Sequence, residues 1–189
     1  MYHIKEDKRT YKSSELIYEA LITCMKEKEF NKISISDIQR ISSVGRSTFY
    51  RNFDTIIDVL HWKCDVEYKE VMKSYVNKES HDISELEFML YFFTYWLTHY
   101  EILDTLISIR RYDIISQCHY NNSHILYDYF KKFYSVPIPD FKYHMAVRIG
   151  AFVGILIAWI ENGRKESPEE LLAILRADLD ITKETRIIF

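Results

Sequence analysis

Ser34–Phe53, SISDIQRISSVGRSTFYRNF, is the stretch whose reading decides the fold. Ser34 with Asp37 three residues on is a capping pair, in which the hydroxyl takes a first-turn amide and the carboxylate reaches back to the cap amide. It opens a short helix with Ile35, Ile38 and Ile41 on one side. Ser42-Ser43 breaks that helix, and a second short helix runs over about Arg46–Phe53. Ile35, Ile38, Ile41, Val44, Phe49 and Phe53 fill a small core. The other side offers Ser36, Gln39, Arg40, Arg46, Ser47, Thr48, Tyr50, Arg51 and Asn52. Such a face suits a major groove: Arg pairs with guanine, Asn with adenine, and hydroxyls with phosphate.

Working outward, a first helix is expected over Tyr11–Lys28, with Leu16, Ile17, Ala20, Leu21, Cys24 and Met25 as its apolar stripe. Thr55 with Asp58 repeats the capping pattern and opens a long fourth helix to about Asn77. A polar break, Asn77–Asp82, follows, and Ser84 with Glu87 starts a fifth helix dense in aromatics. Two more helices fit Glu101–Ile109 and Asp113–Tyr134, before Pro137 and Pro139 force an interruption. The most apolar helix spans Asp140–Asn162 and stops at Gly163, and Ser167-Pro168-Glu169-Glu170 starts the last, to about Asp180. The pattern predicts an all-α chain of about nine helices. It divides into an N-terminal three-helix helix-turn-helix domain, residues 1–60, and a C-terminal helical dimerisation and effector domain, residues 61–189.

Composition agrees. Only 4 Gly and 3 Pro occur in 189 residues, too few for a turn-rich sheet protein, while 48% hydrophobic residues supply a large core. Residues 1–53 hold ten cations against seven anions, so they carry +3 and the remainder −6 of the overall −3. A basic front suits a polyanion partner. Cys24, Cys64 and Cys118 show no paired spacing, the N-terminus lacks a signal-peptide core, and the apolar run Ile149–Ile160 is shorter than the roughly 20 residues of a membrane span. A reduced, cytoplasmic chain is the expectation. No nucleophile–base pair, Gly-rich phosphate loop or full metal-ligand set is present, Cys118-His119 and His124 included, so neither an enzyme nor a cofactor or metal is expected.

The front segment resembles the N-terminal domain of TetR-family (TetR/AcrR-like) transcriptional regulators. Members carry a Thr-x-x-Asp-Ile-Ala stretch, a Gly-Val-Ser turn and a Thr-Leu-Tyr-x-His-Phe recognition helix. Ser34, Asp37, Ile38, Val44, Thr48, Phe49, Tyr50 and Phe53 stand at matching spacing, as do Ile17, Ala20, Met25 and Phe30 upstream. The resemblance implies that Ser34 and Ser36 meet phosphate at a helix start, that Arg46, Ser47 and Thr48 enter the groove, that Tyr50 bonds phosphate, and that Arg51 and Asn52 lie close by. Four positions depart from the family pattern: Ser43 for the turn Gly, Gly45 for the capping Ser, Ile56 for a Lys, and Glu29 for a Gly. Further on, Ala146–Leu175 is similar to the C-terminal helix pair of a TetR-like subgroup with an ENG-x-x-x-SPEEL ending, here Glu161–Leu171.

Ala146, Gly150, Gly154 and Ala158 recur every four residues and form a small-residue ridge suited to close helix approach. The expectation is a homodimer contact; packing within the chain is the alternative. Phe92, Tyr95, Trp96 and Tyr127 are candidates for an effector pocket, with ordinary core packing as the competing reading. The resulting expectation is a repressor. It binds a near-palindromic double-stranded operator as a homodimer, and a small molecule of unspecified identity releases it. The alternative is a TetR-like co-regulator controlled by a protein partner.

Overall fold

In the computed structural model, residues 1–4, 7–78, 85–130 and 141–185 are described. Helix α1 spans Lys8–Met25. It starts three residues before the expected position because Asp7 caps it, accepting the Thr10 amide at 2.8 Å. Its buried stripe is Thr10, Ser14, Ile17, Tyr18, Ala20, Leu21 and Cys24. Leu16, assigned to that stripe by its apolar character, instead faces outward, because it falls between turns of the 3.6-residue period. A 3-10 turn, Phe30–Lys32, leads to α2, Ile35–Ser42.

Both expected capping pairs form. Ser34 Oγ accepts the Asp37 amide at 3.2 Å, and the Asp37 carboxylate accepts the Ser34 amide at 3.0 Å. Lys28 Nζ adds an ion pair to Asp37 at 2.7 Å. Before α4, Ile56–Val76, the Asp58 carboxylate accepts the Thr55 amide at 2.8 Å. Between them lies α3, Arg46–Asn52, preceded by Gly45, which has no side chain to cap it. Ile17, Leu21, Ile38, Phe49, Phe53, Leu60 and Trp62 are all buried between α1 and the first half of α4, with Phe53 and Trp62 ring centroids 5.9 Å apart.

The rear helices are α5, Glu85–Thr98; α6, Glu101–Ser108; α7, Tyr112–Phe130; α8, Phe141–Glu161; and α9, Pro168–Thr185. Gly163, at φ 77°, ends α8 as expected: its amide donates to the Ile160 carbonyl and that of Arg164 to Trp159, each at 2.9 Å. The same arrangement ends α6, with Arg110 at φ 57° in the glycine role. Ser167 and Glu170 form a third capping box in front of Pro168. α9 continues past Asp180, and the expected signals at Ser84, Pro137 and Pro139 lie outside the described residues. Among the described residues the chain is all-α, with nine helices and one isolated antiparallel bridge, Tyr2 to Phe53. No described helix is long and apolar enough to cross a membrane.

α4 packs along α7, and α8 closes the rear core with an aromatic stack. Phe152 meets Phe92 edge-on at 4.7 Å and lies parallel to Phe93 at 5.5 Å, which in turn meets Trp159 at 5.4 Å. These are the offset and edge-to-face arrangements that ring quadrupoles favour. One carboxylate interrupts the seam. Asp65 of α4 is buried and accepts from the Tyr2 hydroxyl at 2.6 Å and from Asn122 of α7 at 2.7 Å, while Lys69 lies 2.8 Å away. Burial alone would raise its pKa, but Lys69, Tyr2 and Asn122 outweigh that and hold it below the usual carboxylate range.

A carboxylate depressed in this way contributes stability above its unfolded pKa and loses it as the pH falls through the folded value. Asp65→Asn should therefore lower Tm at pH 7, and thermal unfolding should show that gap closing below about pH 3.9, the unfolded-state value. A gap that stayed constant with pH would mean that packing, not charge, sets it. A second expectation concerns the α2–α3 turn. Ser43 sits in the left-handed region at φ 57°, where the glycine usual in the family would be unstrained. Ser43→Gly should stabilise the chain by about 0.5–1 kcal/mol, read as a rise in Tm of about 2 °C. A fall in Tm would show instead that the Ser43 side chain contributes more than its strained backbone costs.

Candidate nucleic-acid interface

α3 has seven residues, and its two sides diverge sharply. Phe49, Asn52 and the following Phe53 point into the front core, anchored by Phe49–Phe53 and Phe49–Tyr50 ring contacts at 5.8 and 5.7 Å. Arg46, Ser47, Tyr50 and Arg51 point outward, and Thr48 is half-buried. Positions 46 and 50 are one turn apart, so their side chains meet. Arg46 Nη2 donates to the Tyr50 hydroxyl at 3.4 Å, and its guanidinium lies 5.6 Å from the Tyr50 ring centroid. Each thereby restrains the other before any partner arrives.

The expected α2 residues occupy the neighbouring edge. Ser36 is exposed. Ser34 is exposed as well, but its hydroxyl is engaged in the capping pair, donating to Asp37 at 2.7 Å. Arg40, exposed in the last turn of α2, extends the cationic edge. Among the described residues, Arg40, Arg46 and Arg51 form no ion pair with an acid, in contrast to Lys28, Lys63 and Lys69.

Asn52 corrects the sequence reading. It is fully buried, and its amide nitrogen donates to Ser13 and Ser14 of α1, each at 3.1 Å. Its place three residues after Phe49 put it on the core face, and that spacing was the available signal; polar character outweighed it in the assignment to the groove. Asn52 fixes the end of α3 to α1 and is not part of the exposed face. Of the departures from the family pattern, Ile56 is half-buried against the core and Gly45 leaves the start of α3 uncapped by any side chain.

The other candidate sites separate cleanly. Ala146, Gly150, Gly154 and Ala158 are all exposed along α8, beside Tyr143 and Val147 at 66% and 67% exposure. A Cβ built at Gly150 or Gly154 would meet nothing within 4 Å, so no described part of the chain covers the ridge. The opposite side of α8, Ile149, Val153, Leu156, Trp159 and Ile160, supplies the intrachain packing. α9 adds exposed Ala173, Ile174 and Ala177.

The four effector-pocket candidates do not form one lining. Phe92 and Trp96 are fully buried among Tyr68, His119 and Phe152. Tyr95 is turned to α4, where its hydroxyl donates to Glu67 at 2.6 Å, and its ring stacks on His99 at 3.9 Å. Tyr127 is half-buried on α7, eight residues beyond His119, or ~12 Å along the helix. Cys118, His119 and His124 likewise diverge: the first thiol faces the His61 carbonyl at 3.7 Å, the second lies in the ring cluster, and the third bonds the Asn121 carbonyl at the surface.

Residues 84–178, half of the chain, match the family model described as the C-terminal region of transcriptional regulators, of the TetR type. No curated protein matches the sequence.

Proposed function

The chain belongs to the TetR family of transcriptional regulators, and from that premise we propose that it is an operator-binding repressor that acts as a homodimer and is released by a small effector. Residues 1–60 read DNA; residues 61–189 dimerise and receive the signal. The observation that carries this reading is the outward face of α3. Arg46, Ser47, Tyr50 and Arg51 are presented by a helix whose other side is locked into the front core. Arg46 reads a base, with Ser47 and Thr48 beside it at the entry to the groove. Tyr50, Arg51 and the α2 start at Ser34 and Ser36 hold phosphates.

A single seven-residue helix makes too few contacts for an operator, and a second copy supplies the rest. The uncovered ridge of α8, together with the exposed Ala173, Ile174 and Ala177 of α9, supports a two-fold interface built from both helices of each protomer. Two reading heads about 34–36 Å apart would then meet half-sites one turn apart on a near-palindrome.

A second reading has its own observation. Ile56, packed against the core where the family places a phosphate-contacting Lys, removes one anchor from each half-site. That favours a co-regulator whose DNA affinity depends on a protein partner.

Selection of fragments from a genomic pool by the purified protein at low salt separates these. The first reading expects a palindromic site; recovery of no fragment would remove it and leave the second. On the selected site, Arg46→Ala should cost about 1–3 kcal/mol and relax preference at one base pair. Tyr50→Phe should weaken all sequences alike, measured by fluorescence anisotropy.

Gly150→Leu tests the dimer. The open space around Gly150 lets a single chain accept the side chain, so helicity by circular dichroism should persist while sedimentation shows a monomer. A dimer that survived the substitution would remove the ridge from the interface.

A further inference from the structure

A cavity of about 450 Å³ opens between α1, α4 and the N-terminal segment, within the roughly 300–1,000 Å³ range of small-molecule pockets. None of the rear aromatic cluster lines it. Three segments wall it, and spacing explains each. Lys8, Tyr11 and Lys12 share one face of α1, at i, i+3 and i+4. Trp62, Asp65, Val66 and Lys69 share one face of α4, at i, i+3, i+4 and i+7. Tyr2 and Ile4 close the third side, from the segment that the Tyr2–Phe53 bridge ties down.

The charges around this cavity are not balanced. The Asp7 carboxylate is occupied in capping α1, and Asp65 is enclosed by Tyr2, Asn122 and Lys69. Lys8 and Lys12 are exposed and, among the described residues, form no ion pair, in contrast to Lys28, Lys63 and Lys69. Lys8 stands at the first position of α1, where the partial positive charge of the helix end opposes a cation. Helix formation therefore does not account for it. Between these amines and Asp65 the walls are apolar, and Tyr11 meets Trp62 edge-on at 5.6 Å.

We propose that this cavity binds an aromatic carboxylate, with its ring against Tyr11, Trp62 and Val66 and its carboxylate at the mouth between the Lys8 and Lys12 amines. A cationic ligand would meet two free amines and no free acid, so the ligand is an anion. Asp65 on the α4 wall repels that charge, so the carboxylate points outward. Ring side chains from three segments favour a flat aromatic body, held by edge and face contacts. Bound there, the ligand touches the N-terminal segment, α1 and α4 at once and holds them in one relative placement.

1-Naphthoate is the probe, applied to the full chain without DNA. It should raise Tm with concentration, by about 2–4 °C. It should also move one indole N–H resonance, the one that Trp62→Phe deletes. 1-Naphthamide keeps the rings without the charge, and octanoate keeps the charge without the rings; each should bind at least tenfold more weakly. Lys8→Ala combined with Lys12→Ala should leave the free chain's Tm unchanged or higher, while naphthoate affinity falls about tenfold. Val66→Phe fills the cavity, so helicity by circular dichroism should persist while naphthoate binding is lost.

The proposal is overturned if naphthoate moves neither Tm nor the Trp62 resonance, or if either analogue matches it. It is overturned if affinity survives the double lysine substitution, which would leave those amines to another polyanion such as the DNA backbone. A shift of the Trp96 or Trp159 resonance in place of that of Trp62 also overturns it, by placing the ligand among the rear helices. No readout involves DNA, so this test and the operator selection fail independently.

Discussion

The unbroken hydrogen-bond ladder of α4 is the constraint on which the rest of the structure depends. The helix holds 21 residues, about 31 Å at 1.5 Å per residue. No glycine or proline interrupts Ile56–Val76. Its first turn is held by the Thr55–Asp58 box, and Val59, Leu60 and Trp62 belong to the front core. Tyr68, Val71, Met72 and Tyr75 belong to the rear core. One helix therefore runs through both ends of one continuous core, and its backbone offers no break near residue 60: a rotation imposed at the rear end would be carried to the front end without an intervening soft joint. Asp65 marks the crossover, where Tyr2 from the N-terminal segment and Asn122 from α7 meet on a single carboxylate.

What the sequence could disclose followed from how local the physics was. Capping boxes at Ser34–Asp37, Thr55–Asp58 and Ser167–Glu170 each require two residues three apart, and all three form. Gly163 stops α8 for a reason visible in one residue. Arg110 does the same work at the end of α6 but carries no signature, because arginine has no intrinsic preference for the left-handed backbone it adopts there. Leu16 and Asn52 show the opposite limit. Each was sorted by chemical character, and in each the helical period decided otherwise, turning an apolar residue out and a polar one in. The exposed half of the candidate interface was legible because Arg46, Ser47, Tyr50 and Arg51 share a face by spacing as well as by character. The aromatic cluster was legible only as a composition; that Tyr95 leaves it for Glu67 while Tyr68 and His119 join it depends on the pairing of α4, α5 and α7, which no single segment encodes.

The single chain leaves three kinds of surface incomplete, and each asks for a different partner. α3 and the end of α2 present guanidinium groups that form no ion pair among the described residues, which suits a polyanion. α8 presents a smooth apolar ridge, suited to close approach by another helix. Among the described residues, the rear core encloses Tyr68 Oη, Trp96 Nε1 and His119 Nδ1 with no protein hydrogen-bond partner, so a bond to them has to come from outside the chain. A chain selected for stability alone would close all three, with acids opposite the arginines, larger side chains on the ridge and phenylalanine in the cluster. Their coexistence in a chain otherwise well capped and densely packed sets them apart from ordinary imperfections of folding.

The same geometry fixes how much a signal must achieve. On the proposed reading, an effector changes operator occupancy only through the difference in its affinity for the DNA-competent and incompetent placements of α4. A tenfold change in that equilibrium needs about 1.4 kcal/mol. A single buried hydrogen bond is worth about 0.5–1.5 kcal/mol net, and a buried group left unpaired costs about 1–3 kcal/mol. Tyr68 sits on α4 itself, nine residues beyond Val59 of the front core, or ~14 Å along the helix. One hydrogen bond to its hydroxyl that forms in only one of the two placements is therefore enough to bias the reading heads by an order of magnitude. No larger rearrangement of the rear helices has to be invoked, because the rod that carries the bias is the one the capping residues and both ends of the core already hold straight.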